Sequence, residues 1–189
     1  MTQAIDKVIW TISDLDVFPD SEDKYYEIID GDLFVTRSPH RKHQQIIGRI
    51  IFQLENWNQK TGLGETIIAP GIIFSETDSV IPDLVWVSKA RLAQIEDSAG
   101  HLIAAPELVV EVISPGTNQE KRDREVKLKL YSVQGVQEYW IVDRFLNQVE
   151  VYRRQQAKLV LSATLFKNDV LNSPLLPDFE GNINLFFPE

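Results

Sequence analysis

The 189-residue chain has no cysteine, which excludes disulfides and thiolate metal sites. Its three histidines, His40, His43 and His101, are too few and too badly spaced for a histidine metal centre, although His43 could serve alone. No apolar run approaches the length of a membrane span. The opening MTQAIDKVIW carries an acid and lacks the basic-then-apolar layout of a signal peptide. A phosphate-binding GxxxxGK[ST] loop, an HExxH helix and a GxSxG elbow are all missing. The single GxG, at Gly62 and Gly64, lacks the rest of a dinucleotide fingerprint. The expectation is a cytoplasmic protein with no membrane association, folded as one domain over residues 1–189.

What is present suits a full core: 43% of residues are hydrophobic and 25% charged. The net charge of -9 argues at first against nucleic acid, but the charge is segregated. Residues 36–50, TRSPHRKHQQIIGRI, carry Arg37, Arg41, Lys42 and Arg49 and no acid. A second basic group, Lys121, Arg122, Arg124, Lys127 and Lys129, comes later. Both are compatible with solvated helix faces or with a phosphate-binding surface.

YYEIIDGDLFVT reads as a hairpin turning at Asp30-Gly31. SPHRKHQQIIGRIIFQLENWNQKTG reads as a long helix capped by Ser38, entered through Pro39 and stopped at Gly62. Ile46, Ile47, Ile50, Ile51 and Leu54 form its apolar stripe. ETIIAPGIIFS gives one or two strands broken at Pro70-Gly71, and VIPDLVWVS gives another. A short helix near KARLAQI, the strand in PELVVEVISPG, a helix over NQEKRDREVKLKLYSVQ and the strand QEYWIVD follow. The strand–helix–strand unit predicts a parallel pair. QVEVYRR and KLVLSATLF predict an antiparallel pair, and DFEGNINLFF an edge strand. The fold class is α/β (α+β), a mixed sheet flanked by helices.

Within PELVVEVISPG, strand periodicity makes both faces apolar except at Glu111. A carboxylate there costs several kcal/mol unless it is compensated. It caps a hydrogen-bond network, pairs with a cation or holds a metal. Asp83 opens a nearby strand, and if the two strands are neighbours their acids converge. Paired oxygens suit a hard cation such as Mg²⁺ or Mn²⁺. On a helical wheel for residues 123–134, Lys127 points from the middle of the apolar face, while Lys129 points away. Each has a plainer use: Asp83 as a strand-entry residue bonding backbone, Lys127 as a side chain lying along the core edge.

In this order and spacing, YYEIIDGDL, IPDLVWV, PELVVEVISPGT and RDREVKLKLYSVQGVQEYWIVD resemble the restriction-endonuclease-like family within the PD-(D/E)XK nuclease superfamily. The resemblance runs from about residue 18 to 155. It implies a restriction-endonuclease-like mixed sheet and a Mg²⁺ (or Mn²⁺) site formed by Asp83, Glu111 and the backbone carbonyl of Val112. The motif lysine is replaced by Ile113. Members of the family resemble nucleases whose lysine lies on the following helix, where Lys127 is the matching residue. Glu27 matches a further family acid, and His43 with Gln44 the HQ of the first long helix.

The expected function is therefore a metal-dependent endonuclease acting on DNA. Asp83, Glu111, Lys127 and Glu27 form its centre, and Arg41, Lys42, His43 and Arg49 are its DNA contacts. The expected state is a homodimer, with the apolar LFF segment either at the interface or closing the core. The alternative is the same fold used as a DNA-binding or assembly module without turnover. A two-carboxylate glycosidase ranks last, because it leaves Lys127 without a role.

Overall fold

The computed structural model describes residues 7–18, 24–113 and 118–188. The SPGT end of the PELVVEVISPGT stretch lies outside these residues. Strands β1 (Lys24–Ile29) and β2 (Asp32–Arg37) form the expected hairpin. Its two turn residues, Asp30 and Gly31, have φ of 52° and 71°, the left-handed pair that matches strand twist in a tight hairpin.

Helix α2 (Arg41–Thr61) follows a short helical turn, α1 (Ile12–Leu15), and the hairpin. Gly62, at φ 61°, ends it. The expected cap at Ser38 is displaced two residues. His40 takes the extended cap conformation, and its ring nitrogen accepts from the Lys42 N–H at 3.1 Å.

Strands β3 (Gly64–Ile68) and β4 (Ile72–Ser75) part at Pro70-Gly71 and join different sheets. Strand β5 (Asp78–Val80) then leads through Pro82 into β6 (Leu84–Ser88) and helix α3 (Lys89–Ile95). After β7 (Leu108–Ile113), the chain forms a turn of helix α4 (Asn118–Lys121), a wider π-helical turn over Arg122–Lys127, and helix α5 (Leu128–Gln134). β8 (Glu138–Asp143) returns parallel to β7. β9 (Gln148–Gln155) and β10 (Lys158–Leu165) pair antiparallel as expected, and β11 (Val170–Ser173), β12 (Leu176–Asn182) and α6 (Ile183–Phe186) complete the chain.

A six-stranded mixed sheet, in the order β10-β9-β8-β7-β6-β3, forms the centre. A four-stranded sheet, β2-β1-β5-β4, and the β11–β12 ribbon flank it. Strand alternation divides the core in two. Leu84, Trp86, Val110 and Trp140 face α2 and the β11–β12 ribbon. Val85, Val109, Ile113 and Tyr139 face the side of α3 and α5. Phe186 and Phe187 are buried in the first of these cores, so two of the three LFF residues close it.

Candidate active site

β6 and β7 are antiparallel neighbours, with Leu84 opposite Val110. One step further along the same register, Asp83 faces Glu111, and directly opposed residues share a face. The ladder stops there because Pro82 has no N–H to give. Side chains replace the missing ladder bonds. The Val112 N–H donates to Asp83 Oδ2 at 2.7 Å, and the Asp83 N–H points at Glu111 Oε2 at 3.4 Å. Spacing and the proline thus bring two distant acids together at one strand end.

The crossover to β8 lays Lys127 over Glu111. Lys127 is only 1% exposed. Its ammonium donates to Glu111 Oε1 at 2.7 Å and lies 2.8 Å from Glu27 Oε1. Glu27 comes from the hairpin strand β1 and is buried. Its Oε1 also accepts from the Ile81 N–H at 3.0 Å, and its Oε2 pairs with Arg122 at 3.0 Å. Arg122 Nε holds Asp123 at 3.2 Å, and the Tyr131 hydroxyl donates to Glu111 Oε1 at 3.2 Å.

Arg122, Asp123 and Tyr131 are site residues that the sequence reading missed. Asp123 and Tyr131 each lie 40° from Lys127 on the α-helical wheel, so the signal for them was present. Arg122 lies about 140° away and would point outward in a regular helix. The π turn, with its i→i+5 spacing, brings residues five apart nearly into line and swings Arg122 inward. The Tyr139 hydroxyl donates to the Asp123 carbonyl at 3.1 Å, a side-chain donor inserted where the helix widens.

Glu27, Asp83, Glu111, Arg122, Asp123 and Lys127 line a cavity of about 260 Å³, with Tyr131 and Tyr139 behind them. Around it stand four carboxyl groups, of Glu27, Asp83, Glu111 and Asp123, and two buried cations, Arg122 and Lys127, with Arg37 at the exposed rim. The electrostatics follow from that count. Burial, reinforced by Asp83, Asp123 and Glu27, pushes the Glu111 carboxyl well above the usual range against the pull of Lys127. Burial also raises Asp123, against Lys127 and Arg122. For Lys127, burial favours the neutral amine, but Glu111 and Glu27 outweigh it, so the ammonium is held charged.

His43, only 6% exposed, donates through Nε2 to Asp83 Oδ2 at 3.0 Å. Its Nδ1 is buried without a hydrogen-bond partner among the described residues. His43 therefore sits on the acid pair, at the wall of the same cavity. Of the other expected DNA contacts, Arg41 and Lys42 are exposed. Arg49 donates to the Phe187 carbonyl at 2.7 Å, tying α2 to the C-terminal segment. Much of the second basic group forms no phosphate surface: Arg122 and Lys127 are buried, and Arg124 pairs with Glu120 and Glu150.

A divalent cation would meet Asp83 and Glu111 here. Among the described residues no group of three His, Asp or Glu side chains stands ready to hold a metal. Two carboxylates nevertheless suit Mg²⁺, which keeps several of its waters. Their freer oxygens are Asp83 Oδ1, which accepts no hydrogen bond among the described residues, and Glu111 Oε2, with one long contact.

Residues 12–185 match the model of the Uma2 family, described as "Putative restriction endonuclease". The chain belongs to this family. The fold is also that of a "putative nuclease belonging to DUF820" from Anabaena variabilis, at a TM-score of 0.74 and 20% identity over 94% of this chain and 97% of that one. A lesser likeness, at a TM-score of 0.42 and 14% identity, joins 76% of this chain to 14% of the type IIG restriction endonuclease BpuSI. No curated protein matches the sequence. The restriction-endonuclease-like fold read from the sequence is thus the fold of this chain, and its motif acids Asp83 and Glu111 line one cavity.

Proposed function

We propose that the protein is a metal-dependent endonuclease that hydrolyses phosphodiester bonds in DNA. The observation that carries this reading is the composition of the cavity: four carboxyl groups against two buried cations and Arg37 at the rim, an excess of acid that a bound divalent cation would offset, with burial holding Glu111 and Asp123 toward their neutral forms in its absence. A structural buried acid looks different in the same sheet. Glu138, 1% exposed, is satisfied by donors alone, from Trp140 at 2.6 Å, Arg153 at 3.2 Å and Ser173 at 3.0 Å.

Asp83, Glu111 and the Val112 carbonyl are the proposed ligands of Mg²⁺ or Mn²⁺. The bound ion supplies polarisation of the scissile phosphate and a more acidic water. Lys127 stays protonated and so is no general base. It fixes Glu111 and places positive charge beside the reacting phosphoryl oxygens. Glu27 uses both oxygens on protein partners and acts by holding Lys127 and Arg122.

A second reading, a DNA-binding module without turnover, is favoured by the full engagement of Lys127 with two carboxylates, an arrangement a structural ion cluster shares. Plasmid nicking separates them. Wild type is expected to nick with Mg²⁺ or Mn²⁺ and not with EDTA. Asp83→Asn, Glu111→Gln and Lys127→Met are each expected to lose at least a hundredfold. Equal traces of cleavage in all four proteins would remove the nuclease reading.

A further inference from the structure

A second cleft, of about 530 Å³, lies between α2 and the C-terminal segment. Arg41, Lys42, Arg49 and Lys167 line it, and among the described residues no acid does, in a protein of net charge -9. Residues 40, 43, 44 and 47 of the α2 region line the acidic cavity, whereas 41, 42, 45 and 49 line the basic cleft. At 100° per residue the two sets are centred roughly 165° apart, on opposite sides of one helix.

Between them runs an exposed ridge of Arg41, Gln44, Gln45 and Gly48. Gly48 has nothing within 4 Å of where a Cβ would stand. A helix with its side chains is about 10–12 Å across, and the major groove of B-DNA is about 12 Å wide. A single strand would instead want exposed aromatic rings to stack on. The aromatic side chain at the basic cleft, Phe187, is 8% exposed.

We propose that the partner is duplex DNA straddling the first turns of α2. The cut strand lies at the acidic cavity, and phosphates of the opposite strand lie in the basic cleft, held by Lys42 and Lys167. The choice of DNA rests on the nuclease reading; the duplex geometry rests on the two clefts.

The test is fluorescence anisotropy in EDTA between 50 and 200 mM salt, with duplex and single-stranded oligonucleotides of equal length. Wild type and the Lys42→Ala/Lys167→Ala double variant are compared, with Lys129→Ala as a control for an exposed cation elsewhere. The double variant is expected to flatten the log–log salt slope for duplex by about two, a roughly tenfold change in relative affinity across that salt range. Single-strand binding and the Lys129→Ala control should not change.

An unaltered duplex slope, equal losses on single strands, or no duplex affinity in wild type would overturn the proposal. Nicking by wild type together with an unaltered slope sinks the cleft and leaves the nuclease standing. The expected slope change without any metal-dependent nicking supports the cleft and sinks the nuclease.

Discussion

Four side chains carry the residue-scale argument. Glu111 ionises against its surroundings: burial, then the neighbouring acids, raise its carboxyl well above the ordinary 4.5. A group with a raised folded-state value binds its proton more tightly when folded. Its contribution to stability is therefore present below 4.5 and falls as pH climbs through the raised value. Asp123 contributes in the same direction. The metal-free protein is expected to lose unfolding midpoint as pH rises above 4.5 toward the raised value, and Glu111→Gln to show a shallower loss. Parallel pH profiles for the two would contradict the buried-acid account. His43 acts on Asp83, because its Nε2 and the Val112 N–H both hold Oδ2 and leave Oδ1 to the cavity. His43→Ala is expected to weaken Mn²⁺ binding by about 10–100-fold in a calorimetric titration, with partial recovery in His43→Gln. Unchanged affinity in His43→Ala would assign the imidazole to packing alone.

At the scale of elements, hydrophobic periodicity and turn chemistry made most of the sheet legible. The Asp30-Gly31 hairpin, the Gly62 stop and the β7–helix–β8 crossover each rest on a local signal, and the structure contains all three. Lys127 was legible for the same reason, as a charged residue on an apolar face. The cap of α2 was not, because Ser38 and His40 both offer a side-chain acceptor and only the backbone path selects His40. Nor was the π turn, since its signal is a tertiary contact, Tyr139 on the Asp123 carbonyl, with no local residue pattern. β5 and β11, of 3 and 4 residues, are too short to alternate convincingly. Gly64 joins β3 closely to β6: a Cβ there would come within 2.3 Å of the Val87 carbonyl and 2.5 Å of Trp86. Gly64→Ala is expected to cost about 1–3 kcal/mol in chemical denaturation, while Gly48→Ala, on an open helix face, should be neutral or slightly stabilising. Equal effects at the two positions would contradict the β3–β6 packing.

At the scale of the whole molecule, a net charge of -9 hides a division of labour. Acid gathers in one cavity and base in another, with α2 between them. No described helix is long and apolar enough to cross a membrane. Both cavities draw on elements far apart in the chain. The acidic one joins β1, the start of β6, β7 and the π turn, so its assembly is a property of the complete fold. The proposed function asks of that assembly that two carboxylates share a divalent ion beside a fixed ammonium. An anomalous difference map from crystals soaked in Mn²⁺ addresses it directly. The expected result is a peak within coordination distance of Asp83 Oδ1 and Glu111 Oε2, lost in Asp83→Asn. An empty cavity at saturating Mn²⁺, or a peak bound to neither acid, would contradict it.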